Sequence, residues 1–366
     1  MKIVIAAWHL KNLNVGLGRY TQSLIHALGR VDRENEYEIL MPVETSLFPS
    51  YSNFHYRFCK FPVFKRRFWE QLAPAFVGPY DILHFPYDSC VASKRGKFVV
   101  TIHDVKPLIF PKVKRKVDLY GVLKRMVIPD PAKQIDHIIT VSECSRKDIV
   151  ERLGVSSGNI TVVPQGVERE CFSENREILD KDRQAVPFVL CVAGSDPTKN
   201  VESLIVAFSM LPDEVRREHK LMLVGDMGKS GSLHALVQEK GMEGQVVYAG
   251  VVTDQQLASY YQQASVFAFP SLYEGFGLPV LEAMACGCPV ICSNTSSLPE
   301  VVGEAATLVD PVNVSALEAA IREVLTSPDR QQKMREAGLR QSQKFSWDQT
   351  ARETVDLYKR VVGAAG

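Results

Sequence analysis

The chain has 366 residues, of which 46% are hydrophobic and 23% charged, enough apolar sequence for two globular domains with cores of their own. No run reaches the roughly 18 apolar residues that a membrane-spanning helix needs, and the N-terminus enters a strand pattern without a signal peptide. We therefore expect a cytoplasmic protein, and its eight cysteines do not indicate a disulfide framework.

The net charge of +1 conceals an asymmetry between the two halves of the chain. Residues 1–168 carry a net charge of +8, and residues 169–366 carry −7. A basic half favours association with an anionic surface or acceptor, but it says nothing about fold.

Short apolar runs alternate with helical stretches along the first half. Strands are predicted at residues 2–7, 39–41, 82–85, 97–103 and 137–141, and helices at 19–30 and 142–153. Ser142 is a good N-cap and Gly154 a natural stop for the second helix. This alternation predicts a doubly wound α/β domain over residues 1–168.

The segment 169–184 is polar, charged and weakly periodic, so it is the best linker candidate. The alternation then restarts and predicts a second Rossmann-like domain over residues 185–345. Its predicted strands lie at 188–193, 221–224, 246–249, 266–269, 290–292 and 306–309. Its predicted helices lie at 201–210, 233–240, 254–263, 279–285 and 315–326, and a final helix begins at residue 348.

Gly16-Leu-Gly18-Arg19-Tyr20 follows the first strand and precedes a helix. Glycine permits close approach of the backbone to a ligand, and a helix N-terminus favours anions. The string is not the dinucleotide fingerprint, because Thr21 stands where the third glycine would fall. Taken alone, the string fits an ordinary tight turn as well as it fits a ligand-binding loop.

Polar residues also follow two other predicted strands. His103 and Asp104 follow the apolar run 97–102, at the edge where open α/β sheets bind their ligands. Lys199, in Ser195-Asp-Pro-Thr-Lys, follows strand 188–193 and can meet a diphosphate as a point charge. Judged by position alone, His103 would be held by a backbone carbonyl and Lys199 would be a solvated surface residue.

The run Glu274-Gly275-Phe276-Gly277-Leu278-Pro-Val-Leu-Glu282 follows an apolar strand and continues into the helix predicted at 279–285, so Glu274 lies in the loop and Glu282 in the helix. Strand, glycine loop and helix aim backbone N–H groups at one point, as phosphate sites do. The two glutamates can each hold hydroxyls of one polyhydroxylated ligand. Alone, the same spacing would fit one solvated acid and one helix cap.

In its setting, this run resembles the E-x7-E signature of retaining glycosyltransferases with the GT-B fold, in particular family 4. The Gly-x-Gly-Arg-Tyr string resembles that of family 4 enzymes, many of them mannosyltransferases. The resemblance extends over about residues 1–360 and is most specific over 264–302. It implies a GT-B fold of two Rossmann-like doubly wound domains that face a central cleft, with the helix at 348–366 packed back on the first domain.

The resemblance also implies roles for individual residues. Glu282 would hold the ribose and Glu274 the donor sugar, while Lys199 and the Gly16–Gly18 loop would stabilise the leaving diphosphate and His103 would orient the sugar. The implied catalytic residues are His103, Glu274 and Lys199. The residues implied to border the donor are Gly16, Gly18, Ser195, Lys199, Val251, Glu274, Gly275, Phe276, Gly277, Leu278 and Glu282.

The resemblance also implies that Arg19, Tyr20 and Asp104 lie on the acceptor side of the site. One departure from the family is that Ser195 and Thr198 stand where an arginine most often accompanies the lysine. No D-x-D pair follows a strand, in agreement with transfer without a metal or other cofactor.

The predicted function is transfer of a hexose, best matched by mannose from GDP-mannose, to a glycan or lipid-linked acceptor in polysaccharide synthesis. Transfer of glucose or N-acetylglucosamine from a UDP-sugar is an alternative. So are a sugar-nucleotide epimerase and, from another class, a non-catalytic nucleotide-sugar-binding protein.

The stretch 55–69 interleaves basic and aromatic residues, and a second basic cluster spans residues 112–116. Such segments suit peripheral contact with an anionic membrane, here its inner face, and suit a solvated acceptor groove equally well. Nucleic acid is not expected, because no binding module accompanies them.

Overall fold

The structure is a computed structural model that describes residues 1–13, 16–44, 48–60, 66–89, 91, 95–110, 134–174, 184–227 and 231–363. It divides into two compact units. Unit 1 comprises Met1–Gly166 with Ser346–Gly366, and unit 2 comprises Val167–Phe345. Much of the predicted linker, residues 175–183, lies outside the described part, as does the basic cluster at 112–116.

Unit 1 is built on a seven-stranded sheet in the order β3-β2-β1-β4-β5-β6-β7, in which every neighbouring pair is parallel. The strands span Lys2–Ala6 (β1), Glu36–Met41 (β2), Phe54–Phe58 (β3), Ile82–Phe85 (β4), Lys97–Thr101 (β5), His137–Thr140 (β6) and Ile160–Val162 (β7). The five strands predicted from the sequence are confirmed, and β3 and β7 are additional.

In the described part of residues 1–166, the helices of unit 1 are Gly16–Val31 (α1), Arg66–Leu72 (α2), Lys106–Ile109 (α3) and Glu143–Leu153 (α4). Short 3-10 helices lie at Trp8–Lys11, Ala73–Phe76 and Ser157–Asn159. The predicted ends of α4 are confirmed. The Ser142 side chain accepts a hydrogen bond from the Ser145 N–H, and Gly154 ends the helix in the left-handed region at φ 67°.

Unit 2 holds a six-stranded parallel sheet in the order β10-β9-β8-β11-β12-β13. The strands are Phe188–Val192 (β8), Lys220–Val224 (β9), Val246–Gly250 (β10), Val266–Phe269 (β11), Val290–Ser293 (β12) and Thr307–Val309 (β13). The helices are Val201–Ser209 (α5), Asp213–Glu218 (α6), Gly231–Glu239 (α7), Asp254–Gln263 (α8), Leu278–Ala285 (α9), Leu298–Val302 (α10), Val314–Leu325 (α11) and Pro328–Ser342 (α12). The predicted second Rossmann-like sheet is thereby confirmed.

The last helix, Trp347–Gly363 (α13), packs against α1 within unit 1. Its Tyr358 hydroxyl lies 2.5 Å from Nδ1 of the fully buried His84 on β4, and Asp348 accepts two hydrogen bonds from Arg30. These contacts join the C-terminal helix to the sheet and to α1. None of the helices in the described part of the chain is both long and apolar enough to cross a bilayer.

Candidate functional site

Lys199 and Glu274 occupy the topological switch point of the unit 2 sheet. Lys199 follows β8, Glu274 follows β11, and the two strands are hydrogen-bonded neighbours. The chain runs from β8 outward to β9 on one side and later to β11 on the other. Open α/β sheets bind ligands in the crevice that this reversal leaves at the carboxyl ends of the strands.

The two side chains form an ion pair with 2.6 Å between Lys199 Nζ and Glu274 Oε1. They are 22% and 13% exposed, so the pair is largely shielded from water yet open to a ligand. Ser271 Oγ donates to the same carboxylate oxygen at 2.6 Å, and Lys199 Nζ lies 5.0 Å from the centre of the Phe269 ring. An anion that reaches this point meets a cation whose position the carboxylate fixes.

Hydrogen bonds between two loops fix the positions of these side chains. The Thr198 carbonyl accepts from the Leu272 N–H at 2.7 Å, and it lies 3.0 Å from Ser271 Oγ. Thr198 itself is 2% exposed, and its hydroxyl donates to Asp196. Thr198 therefore stabilises the loop and cannot replace the arginine that the family most often has there.

The glycine loop between Glu274 and α9 is held by two serines. The Glu274 N–H donates to Ser296 Oγ at 3.0 Å, and Ser297 Oγ lies within hydrogen-bond distance of two carbonyls, at 2.7 Å from that of Phe276 and 2.9 Å from that of Glu274. Gly277 has φ 114°, where a side chain is strained, and a Cβ there would lie 2.7 Å from Leu298 Cδ2. The sequence needs glycine at this position for the loop to turn into α9, which begins four residues after Glu274.

Glu282 lies on α9 and is 5% exposed. The Tyr261 hydroxyl of α8 lies 3.5 Å from its Oε2. A carboxylate held at this depth presents little surface, which suits one or two directed hydrogen bonds.

The remaining predicted donor residues lie at the same edge of the sheet. Ser195 is exposed in the loop after β8, and Val251, 73% exposed, follows β10 directly. The Phe276 side chain is buried against Phe345, so a ligand at the glycine loop would meet the backbone of Phe276 and not its ring. The structure thus places the unit 2 residues together, while their individual roles stay predictions.

In unit 1, His103 follows β5 and has partners at both ring nitrogens. Nε2 lies 3.2 Å from the Pro86 carbonyl, and Nδ1 lies 3.3 Å from Gln165 Nε2. The Nε2–H tautomer fits both contacts, with Nε2–H donating to the carbonyl and Nδ1 accepting from the Gln165 amide. The structure therefore shows the backbone-carbonyl partner expected from position alone, and a donor-orienting role for His103 stays a prediction.

The Tyr20 ring packs against the ring of His103. It is 1% exposed, packs edge-on to the His103 ring at 4.4 Å between centroids, and also contacts Trp347. Burial raises the pKa of Tyr20 to about 12. An acceptor could contact the buried Tyr20 side chain, as predicted, only if the residues that cover it moved aside.

The glycine string is not a loop, which corrects the sequence interpretation. Gly16 and Gly18 form the first turn of α1, three residues ahead of the predicted start. A Cβ at Gly18 would lie 2.2 Å from the Asn12 carbonyl oxygen, so the close approach that requires glycine is to the protein's own backbone. Arg19 is partly exposed, and Asp104 accepts from the Lys106 N–H at 2.9 Å to begin α3.

A second group of residues at the switch point of unit 1 was not predicted. His9 follows β1 and Tyr87 follows the adjacent β4, and their rings meet edge-on at 4.6 Å. The Arg66 guanidinium lies 4.9 Å from the centre of the Tyr87 ring, and Lys11 Nζ lies 3.7 Å from that of Trp8. Burial, with Arg66 and His103 nearby, lowers the pKa of His9 to about 4, so its ring is neutral at pH 7. The two predicted strands end two residues before His9 and Tyr87, so the sequence placed both rings after strand ends, but it did not show that the two strands are neighbours.

Two family models match the chain: Glycosyl transferases group 1 over residues 173–341 and Glycosyltransferase Family 4 over residues 16–170. O-antigen chain mannosyltransferase B of Escherichia coli is 30% identical and covers 98% of this chain and 100% of its own length. The MMP alpha-(1->4)-mannosyltransferase of Mycolicibacterium hassiacum is 35% identical over 69% of this chain and 59% of its own.

Solved structures resemble the whole chain. Sucrose-phosphate synthase from Thermosynechococcus elongatus has a TM-score of 0.77 at 22% identity and covers 100% of both chains. WaaG, a glycosyltransferase involved in lipopolysaccharide biosynthesis, has a TM-score of 0.71 at 14% identity and covers 97% of this chain and 99% of its own. At these identities the likeness establishes the fold, and it confirms the predicted GT-B class.

Proposed function

The chain belongs to glycosyltransferase family 4, and from that premise we propose that it moves mannose from GDP-mannose to a hydroxyl of a glycan or lipid-linked acceptor in the synthesis of an O-antigen-type polysaccharide. That it is a glycosyltransferase follows from the family itself. The donor, the stereochemistry and the acceptor are the proposed part.

The observation that carries the proposal is the Lys199–Glu274 ion pair, with the buried Glu282 on the helix that follows the glycine loop. A nucleotide sugar has three parts that need recognition: a ribose, a diphosphate and a hexose. Glu282 offers a carboxylate to the ribose hydroxyls, Lys199 offers a cation to the diphosphate, and Glu274 offers a carboxylate to the hexose hydroxyls. Because Lys199 and Glu274 already touch, the diphosphate and the sugar would be held side by side.

In the proposed reaction, the bond from the sugar C1 to the phosphate oxygen breaks and a bond from C1 to the acceptor oxygen forms on the same face. The acceptor hydroxyl loses its proton to the departing phosphate oxygen, and the nucleoside diphosphate leaves. Negative charge therefore grows on the diphosphate in the transition state. Lys199 and the first N–H groups of α9 would supply fixed positive charge close to this growing negative charge. Fixed cations and N–H donors stabilise a transition state most when they face the atoms on which its charge develops.

Mannose is favoured by the names of the relatives. The Escherichia coli relative that spans the whole chain is an O-antigen chain mannosyltransferase, and the Salmonella typhimurium relative RfbU carries the same description at 29% identity. UDP-sugar transfer is the alternative, because one solved neighbour was determined with UDP and glucose.

On the acceptor side, we assign the unit 1 switch point around His9 and Tyr87. Aromatic rings beside neutral and charged hydrogen-bonding groups suit a saccharide, whose apolar faces stack while its hydroxyls bond. The His9 Nε2 atom is enclosed and has no hydrogen-bond partner among the described residues, so it keeps an unused hydrogen-bonding capacity at this point.

The test is a transfer assay in EDTA with GDP-mannose and UDP-glucose, with a panel of hydrophobic-tagged mannosides and glucosides as acceptors. Mass spectrometry identifies the product, and NMR determines its anomeric configuration. The proposal predicts an α-mannoside from GDP-mannose, with the wild type unaffected by EDTA. An inverted product, a requirement for a divalent metal, or a product from UDP-glucose alone would contradict it. Binding without product from either donor would favour the non-catalytic alternative.

A further inference from the structure

Gln165 is a buried polar side chain at the same edge of the unit 1 sheet as His103, and sequence patterns assigned it no role in the site. It lies three residues after β7, and His103 lies two residues after β5, with β6 between the two strands. Gln165 is 5% exposed, and its Nε2 atom lies 3.3 Å from His103 Nδ1. The amide oxygen, Oε1, is also buried and has no hydrogen-bond partner among the described residues.

The start of α13 holds the chain next to Gln165. A Cβ on Gly166 would overlap the Trp347 backbone, so glycine is required where the chain passes this close. The Trp347 ring in turn contacts Tyr20, whose ring packs edge-on to that of His103. The same helix terminus therefore fixes the backbone beside Gln165 and the position of Tyr20, and both side chains contact His103.

The Pro86 carbonyl determines which orientation of the Gln165 amide fits the imidazole. A carbonyl oxygen only accepts hydrogen bonds, so His103 Nε2, at 3.2 Å from it, must carry a proton. When Gln165 presents its NH2 group, Nδ1 accepts and the ring is neutral. If the amide were rotated by half a turn, Oε1 would need a proton on Nδ1 as well, and the ring would be a cation. The orientation in the structure is the one that a neutral ring requires.

Titratable side chains from three other elements act on the imidazole ring that follows β5, and all three are neutral at pH 7. Burial raises the pKa of Tyr20, on α1, to about 12. Burial also lowers the pKa of His9, after β1, to about 4 and that of His84, on β4, to about 3. In the same loop as the ring, Asp104 accepts from the Lys106 N–H, and Lys106 is 6% exposed.

We propose that Gln165 is a positioning residue that keeps the His103 imidazole neutral, with its proton on Nε2, while the donor sugar reacts. This rests on the proposed function and on the predicted contact of His103 with the sugar. Positive charge develops on a sugar ring as the bond from C1 to its leaving group breaks. An imidazolium beside that ring would oppose the charge, whereas a neutral imidazole does not. Gln165 disfavours the imidazolium because a second proton, on Nδ1, would point at its NH2 group.

The first test is ¹⁵N NMR of the full-length protein labelled at its eight histidines, with His103→Gln to identify the His103 signals. We expect the neutral Nε2–H tautomer in the wild type at pH 7. Gln165→Glu replaces the amide donor by a carboxylate of the same size, so His103 should keep a second proton to a pH at least about one unit higher. An imidazolium or an Nδ1–H tautomer in the wild type would overturn the proposal, whether or not the variant folds.

The second test is the pH dependence of kcat. Gln165→Glu should lower kcat at pH 7 about tenfold, because about nine-tenths of the rings carry a second proton when the pKa lies one unit above the pH. Its activity should recover as the pH rises. The matched control, Gln349→Glu, adds the same charge at an exposed position of α13 and should keep the wild-type tautomer and profile.

An equal loss of kcat at every pH in Gln165→Glu would overturn the positioning role, since Gln165 would then only support the fold. An unchanged pH profile in that variant would overturn it as well. The NMR measurement needs no donor, so it decides the state of His103 even if the proposed transfer fails.

Discussion

Lys199 Nζ lies 2.6 Å from Glu274 Oε1, although the two residues are 75 positions apart in the sequence. The pairing of β8 with β11 brings them together, and Ser271 and Thr198 join the loops that carry them. Each side chain therefore fixes the other at the sheet edge where a ligand would bind. A substitution of either one changes the position of its partner as well as its own chemistry.

Replacement of Lys199 by Met should lower kcat for transfer by about 10²–10³, because the charge that faces the leaving diphosphate is lost. Glu274→Gln should also lower kcat, and it frees Lys199 from its carboxylate. The control is Lys240→Met, which removes a lysine from a surface pair with Glu239 at 3.0 Å. Steady-state kinetics would contradict the assignment if Lys199→Met and Lys240→Met turned over equally fast.

Gly18→Ala should destabilise the protein by about 1–3 kcal/mol, the usual cost of an added methyl group without room. The new Cβ would lie 2.2 Å from the Asn12 carbonyl oxygen and 2.9 Å from that of His9. Gly16→Ala is the control in the same helical turn, since its Cβ would meet nothing within 4 Å. Urea unfolding should show Gly16→Ala equal to or more stable than wild type, and a neutral Gly18→Ala would refute the close approach.

Stability should fall as the pH falls from 7 to 5, with His84 as a main cause. Burial, with His103 nearby, lowers the pKa of His84 to about 3 in the folded protein, against about 6.5 when unfolded. The unfolded chain therefore binds the proton first, and folding loses about 2 kcal/mol at pH 5 relative to pH 7 from this residue.

The variant His84→Gln should show a shallower dependence of stability on pH across that range, while His55→Gln, at an exposed position, should keep the wild-type slope. Tyr358→Phe should cost about 1–3 kcal/mol at pH 7, because it leaves a buried ring nitrogen of His84 without its partner at 2.5 Å. Equal slopes for wild type and His84→Gln would show that other groups control the acid sensitivity.

The sheet order explains which elements the sequence could predict. Central strands such as β1 and β8 are continuous apolar runs, so periodicity identified them. Strand β3, Phe-His-Tyr-Arg-Phe, lies at the edge of its sheet with polar residues exposed, and its basic and aromatic pattern gave no strand signal. Strand β7 has only three residues, too few for a pattern.

The site was predictable where one local motif holds it together. Glu274, Gly277 and Glu282 lie within one strand–loop–helix segment, and the structure keeps them there. The contact of Lys199 with Glu274, and that of His9 with Tyr87, depend on which strands are neighbours, and one sequence does not contain the strand order. The role of Gly18 was predicted wrongly for a related reason, because the backbone oxygens that crowd it belong to His9, in the 3-10 helix before α1, and to Asn12, directly after that helix.

Calorimetric titration can test directly whether the Lys199–Glu274 pair holds the donor diphosphate and sugar. Wild type and Lys199→Met are each titrated with GDP-mannose and with UDP-glucose in EDTA. We expect GDP-mannose to bind the wild type more tightly than UDP-glucose does, and Lys199→Met to weaken the binding of GDP-mannose at least tenfold, a loss of about 1.4 kcal/mol. Equal affinity of wild type and Lys199→Met for GDP-mannose would contradict the assignment of the pair, and tighter binding of UDP-glucose would contradict the proposed donor.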